Sequence, residues 1–207
     1  MRHVVFDIDG TLINTALANL CSLRDAVRHY TGVDYSHEQL TFSLGRSAVD
    51  TMKILNVDPS LYESVVAMWE ESLQNYTDTI EYFPGILEAV EKIHKMGYPM
   101  GIVTSQSRAE FMSFAILDQL RPYFGVVINA EDTEKHKPNP DPLLKYAELA
   151  GVDISEVTYI GDSPYDKACA LSAGAKFIWC PWGASQAVEI ADEFRANAPG
   201  DLPKMVE

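Results

Sequence analysis

The chain has 207 residues, 47% of them hydrophobic and 22% charged. That composition fits a globular protein of one or two domains and excludes collagenous, disordered and disulfide-scaffold classes. Its 16 Lys and Arg stand against 30 Asp and Glu, a net charge of -14, and such a field repels phosphate backbones and anionic lipid, so neither nucleic acid nor a membrane is expected as a partner.

The first apolar run, His3 to Ile8, reads as a buried strand. It turns acidic at Asp7 before an apolar leader region could form, and no stretch of about 18 residues is free of charge, so neither export nor a membrane anchor is expected and the cytoplasm is the default location. The run ends in Asp7-Ile8-Asp9-Gly10-Thr11. Side chains two apart on a strand share a face, which would deliver two carboxylates together at the C-terminal edge of a sheet, where open α/β sheets bind ligands. Gly10 allows the chain to turn away without covering them.

From residue 14 to 80 the pattern is helical. Ser36-His37-Glu38-Gln39 fits a capping box, Asp58-Pro59 opens a further segment, and Tyr62, Val65, Val66, Trp69 and Leu73 keep a helical stripe. This insert is far longer than the usual connection of about 4 to 6 residues. It is expected to be a small all-helical domain, with Leu12 to Asn14 and Asp78 to Pro84 as its hinges, leaving residues 1–13 and 81–207 for the core.

Beyond it, Ile86, Leu87, Val90 and Ile93 recur at helical spacing up to Gly97. The strand Tyr98 to Val103 follows and places the hydroxyls of Thr104 and Ser105 at its end. Ser107-Arg108-Ala109-Glu110 fits a capping box opening a helix with Phe111, Phe114 and Leu117. After the strand Val126 to Ile128, the segment Lys135-His136-Lys137-Pro138-Asn139-Pro140 puts Lys137 on a loop stiffened by two prolines, ahead of a helix from about Pro140 to Gly151. The strand Val157 to Ile160 ends in Gly161-Asp162-Ser163-Pro164-Tyr165-Asp166, and a last strand spans Lys176 to Trp179. Strands alternating with helices imply parallel pairing through right-handed crossovers, hence an α/β, Rossmann-like parallel sheet with helices on both faces.

Four acids converging on one sheet edge cannot all stay ionised without a cation, and a hard divalent ion held by oxygens, Mg²⁺ foremost, resolves the conflict. A carboxylate nucleophile, a second carboxylate for proton transfer, a metal, a lysine and a hydroxyl together suit phosphoryl transfer. Cys21, Cys169 and Cys180 are odd in number and lack a C-x-x-C spacing, which points to buried thiols rather than a disulfide or zinc site. None of His3, His29, His37, His94 and His136 has a partner at metal or triad spacing.

The order of these motifs resembles the haloacid dehalogenase superfamily of aspartate-nucleophile phosphotransferases over nearly the whole chain, including a helical cap inserted after the first motif. The resemblance implies that Asp7 attacks phosphorus, while Asp9 protonates the leaving group and then activates water. Thr104 and Lys137 would bind the phosphoryl group. Mg²⁺ would be held by Asp7, Asp162 and the main-chain carbonyl of Asp9, with Asp166 supporting the site. The acid at Asp9 sets the chain apart from the dehalogenase and phosphonatase branches. Leu44-Gly45-Arg46-Ser47 looks like the cap loop of the phosphoglycolate phosphatase and β-phosphoglucomutase branch, making Arg46, with Ser105, a candidate substrate contact. Asn14 departs from the acid more common there, and Leu17 to Leu20 contains no histidine of the mutase kind, which favours hydrolysis over isomerisation. The expectation is a monomeric or homodimeric, Mg²⁺-dependent phosphatase for a small phosphorylated metabolite of the phosphoglycolate type. A phosphosugar mutase, a pyrophosphatase and a non-catalytic phosphate-binding protein are the alternatives.

Overall fold

The computed structural model describes residues 2–46, 48–183, 191 and 194–207; Ser47, in the Leu44 to Ser47 stretch, lies outside them. The chain divides into two compact units, Met1–Asn14 with Tyr82–Glu207, and Thr15–Glu81.

In the first unit, five parallel strands, β1 (His3–Phe6), β4 (Met100–Val103), β5 (Phe124–Ile128), β6 (Val157–Gly161) and β7 (Lys176–Trp179), form a sheet in the order β5-β4-β1-β6-β7. β2 (Ile13–Asn14) and β3 (Glu81–Tyr82) make a separate two-stranded pair. They fall within the segments Leu12 to Asn14 and Asp78 to Pro84, expected as the two hinges.

β1 is central because Val4, Val5 and Phe6 are apolar on both faces, as a strand covered by helices on each side must be. On one face Val5, Val103, Tyr159 and Phe177 pack with Leu143 and Tyr146 of α7 (Asp141–Ala150) and with Cys169 and Ala170 of α8 (Pro164–Ala173). Residues of opposite parity, Phe6 and Ile102 among them, are equally buried. α5 (Ile86–Lys95) buries Ile86, Val90 and Ile93, one stripe at helical spacing, and packs against α9 (Leu202–Met205). Removing a side chain of this size from water stabilises the fold by roughly 1.5–3 kcal/mol.

The expected helix through Phe111, Phe114 and Leu117 is broken. α6 (Arg108–Ser113) starts at Ser107, whose hydroxyl accepts the Glu110 amide, but the chain leaves helical geometry at Phe114 (φ -80, ψ 92) and continues as a 3₁₀ turn, Ala115–Gln119. Arg121 explains the stop: its guanidinium donates to the carbonyls of Phe111 (2.5 Å) and Phe114 (3.1 Å), taking acceptors that a continuing helix would need.

The second unit is helical: α1 (Ala16–Thr31), α2 (His37–Leu40), α3 (Ala48–Ile54) and α4 (Tyr62–Leu73). Leu20, Leu23 and Val27 of α1 form its buried stripe, closed over by Leu40, Met52 and Val65. The Ser36 to Gln39 capping box is complete, and Asp58 caps the turn at Pro59. All three cysteines are buried and free. Among the described residues no helix is long and apolar enough to cross a membrane.

Candidate active site

The site follows from strand register. Phe6 pairs with Ile102 of β4 on one side and Ile160 of β6 on the other, so the C-terminal ends of these three strands lie level. Asp7, Thr104 and Asp162 are the residues that leave them. Asp7 extends β1 by one bond, its amide donating to the Ile160 carbonyl (2.9 Å). The strand itself stops at Phe6, so the sharing of a face between Asp7 and Asp9 does not come from pleating alone. The chain turns instead: the Thr11 amide donates to the Ile8 carbonyl, and the Gly10 amide to Ile13.

Gly10 is required there twice over. Its φ is +77, and a Cβ would lie 2.2 Å from Asp162 Oδ2. The two acidic loops are therefore in direct contact. The turn is also held from outside, since Trp182 donates its indole N–H to the Thr11 carbonyl (3.1 Å) and Trp179 does the same for the Asp162 carbonyl (3.1 Å).

Lys137 is buried and lies 2.9 Å from Asp7 Oδ1 and 2.7 Å from Asp166 Oδ1. Its ammonium also donates to the Tyr159 hydroxyl (3.1 Å), which is 2.8 Å from the Val103 carbonyl and 3.0 Å from Asp166 Oδ1. Asp166 Oδ2 accepts the Ser163 amide (3.0 Å) and hydroxyl (2.5 Å). Ser163 and Asp166 are the capping box of α8, with Pro164 in its first turn. One local rule thus starts the helix and places a carboxylate under Lys137.

Burial alone would lower the lysine's pKa, but Asp166 and Asp7 outweigh it and hold the ammonium above the ordinary lysine range. Burial pushes Asp7 up to about 7 against the pull of Lys137, with Asp166 and Asp9 adding to the rise. Burial, then Asp166 and Asp7, drive Asp162 well above the usual carboxylate range. One ammonium cannot neutralise three buried carboxylates, and the unmet negative charge suits a divalent cation.

Ligand atoms of Asp7, Asp162 and Asp166 lie within 4.8 Å of one another. The oxygens of Asp166 already accept four hydrogen bonds, which matches a supporting carboxylate better than a metal ligand. Asp7 and Asp162 remain, an all-oxygen pair fit for a hard ion such as Mg²⁺.

Thr104 is buried, and its Oγ1 accepts the Gln106 amide (3.1 Å), leaving its hydroxyl proton to donate elsewhere. Ser105 is exposed and Asp9 half-buried. The side chain of Asp9 accepts from Gln106 Nε2 at 3.1 and 2.9 Å. Arg46 belongs to the helical unit, where its Nε donates to the Phe42 carbonyl (3.1 Å).

Two residues of this constellation were not singled out from sequence. Tyr159 reads as one more apolar residue of a buried strand. Gln106 has a faint signal, two positions past Thr104 on the same strand-end segment.

The model of the haloacid dehalogenase-like hydrolase family matches residues 4–180. A pyrophosphatase PpaX of Bacillus mycoides is 31% identical over 183 residues, 88% of this chain and 84% of that one. A crystal structure of a candidate phosphoglycolate phosphatase from Lactobacillus plantarum superposes with a TM-score of 0.88 at 31% identity, covering 99% of this chain and 98% of the other. CbbY from Rhodobacter sphaeroides, solved with phosphate, shares the fold with a TM-score of 0.81 at 19% identity, over 98% and 96% of the two chains.

Proposed function

The chain belongs to the haloacid dehalogenase-like hydrolase family and is a phosphatase by its likeness to the relatives above; we propose that it hydrolyses a small phosphorylated metabolite through an aspartyl-phosphate on Asp7, with Mg²⁺ as cofactor. The observation that carries this reading is the Asp7, Lys137 and Asp166 triad, a buried carboxylate oriented by a buried ammonium at the edge of a parallel sheet.

Asp7 attacks phosphorus as the bond to the leaving oxygen breaks, and Asp9 supplies the proton that oxygen takes up. Asp9 then removes a proton from water, whose oxygen attacks phosphorus and releases Asp7 and inorganic phosphate. Lys137 neutralises charge on Asp7 and the phosphoryl group, and Thr104 donates its hydroxyl to a phosphoryl oxygen. Ser105 and Arg46 are candidate substrate contacts, and Asp166 keeps Lys137 in place. Asp7, Asp162 and the Asp9 carbonyl would hold Mg²⁺. When bound it offsets the charge of the carboxylates and of the phosphoryl oxygens. Residues 14–80 form the helical cap domain and residues 1–13 and 81–207 the catalytic core.

The 31% identity to the Bacillus pyrophosphatase favours pyrophosphate as the second reading. Phosphate release from phosphoglycolate, other small phosphomonoesters, pyrophosphate and β-glucose 1-phosphate, with and without Mg²⁺, separates these substrates. Conversion of β-glucose 1-phosphate without net release would replace hydrolysis by a mutase reaction.

A further inference from the structure

We propose that Gln106 is the positioning residue of Asp9, fixing its carboxylate for proton transfer to the leaving group; this rests on the phosphatase reading above. The carboxamide of Gln106 donates from Nε2 to both oxygens of Asp9, at 3.1 and 2.9 Å, and the residue is only 2% exposed. Its main chain is pinned on both sides. The amide donates to Thr104 Oγ1 (3.1 Å), and the carbonyl accepts from Ala130 (3.0 Å).

The other end of the carboxamide distinguishes this from ordinary packing. Gln106 Oε1 is buried and has no hydrogen-bond partner among the described residues. A buried acceptor left unmatched is a cost that a merely structural amide avoids by pairing both of its ends. Here the side-chain amide donates to both oxygens of Asp9, a half-buried acid beyond the end of β1 that makes an isolated bridge to Ile13. A neutral donor suits that task, since a lysine in its place would compete with Lys137 for the acids and neutralise the group that must shuttle the proton.

The test compares an unactivated alkyl phosphate with 2,4-dinitrophenyl phosphate, whose leaving group needs no proton. Single-turnover cleavage with Mg²⁺ is measured for wild type, Gln106→Met, which keeps the length but removes the donor, and Gln106→Asn, which keeps the amide but shortens its reach. General acid catalysis contributes about 10²–10⁴-fold. Either variant should therefore lose about ten-fold or more on the alkyl ester while staying within about three-fold on the aryl ester. Equal losses on the two esters, or no loss on either, would overturn the assignment. Should the methionine variant fail to fold, the asparagine variant gives the same comparison. Asp7→Asn on both esters separates the two levels: activity retained there removes the phosphatase mechanism itself, whereas a dead Asp7→Asn beside an unselective Gln106 variant removes the Gln106 role alone.

Discussion

Asp166 lies closer to Lys137 than Asp7 does: Asp166 Oδ1 is 2.7 Å from the ammonium, and Asp7 Oδ1 is 2.9 Å from it. Asp166 is fully buried and tied by Ser163 to the first turn of α8. The helix start therefore positions Lys137, and Lys137 positions Asp7.

Breaking this pair should cost stability as well as activity. Removing one partner of a buried ion pair leaves the other uncompensated, at roughly 3–5 kcal/mol. Asp166→Ala is expected to lower denaturant stability by about that much and to abolish turnover. A variant with wild-type stability and activity would show that Lys137 is held by other groups.

Metal and pH should act together on stability. Burial raises Asp7 to about 7 and Asp162 above the usual carboxylate range, so in the absence of metal the folded chain retains protons that the unfolded chain releases. Stability from Asp7 is present at low pH and declines as pH rises from about 4 through about 7, and Asp162 contributes in the same direction. A divalent cation compensates for the lost protons. Mg²⁺ is thus expected to raise the thermal midpoint more at pH 8 than at pH 5, with EDTA as the reference; an equal rise at both pH values would argue against ion binding at these carboxylates.

Gly10→Ala tests the contact between the acidic loops. A left-handed backbone costs a non-glycine residue about 1–2 kcal/mol, and the methyl group would press on Asp162 Oδ2. Activity should fall on the order of 100-fold, the scale of a misplacement of about 1 Å in a reacting constellation. A smaller loss than of stability, read from thermal melts beside kcat, would mean that the loops adjust freely.

Much of this is legible in the sequence. β7 has the limits its apolar run implies, and Asp7, Lys137, Asp162 and Asp166 meet as their positions at strand ends suggest, because strand ends and capping boxes are local signals. The break at Phe114 was not legible, since it depends on Arg121 reaching back to two carbonyls. Nor was the Gln106 bond to Asp9, which spans 97 residues of sequence and is set only once β4 lies beside β1. Tyr159 was hidden by its ring, whose apolar body fits the strand pattern while its hydroxyl joins the polar network.

Chelation offers a further check on the acidic cluster. EDTA should silence phosphate release, and Mg²⁺ should restore it in proportion to occupancy. Full activity in chelator would contradict the role assigned to Asp7 and Asp162 as an oxygen pair for a hard cation.

The most direct measurement is acid-quenched detection, by peptide mass spectrometry, of phosphate on the segment bearing Asp7 during turnover of a phosphomonoester with Mg²⁺, in wild type and Asp7→Asn. An acid-stable, hydroxylamine-sensitive adduct on Asp7 is expected in wild type, with neither adduct nor phosphate release in the variant. Phosphate release that persists in Asp7→Asn would contradict it.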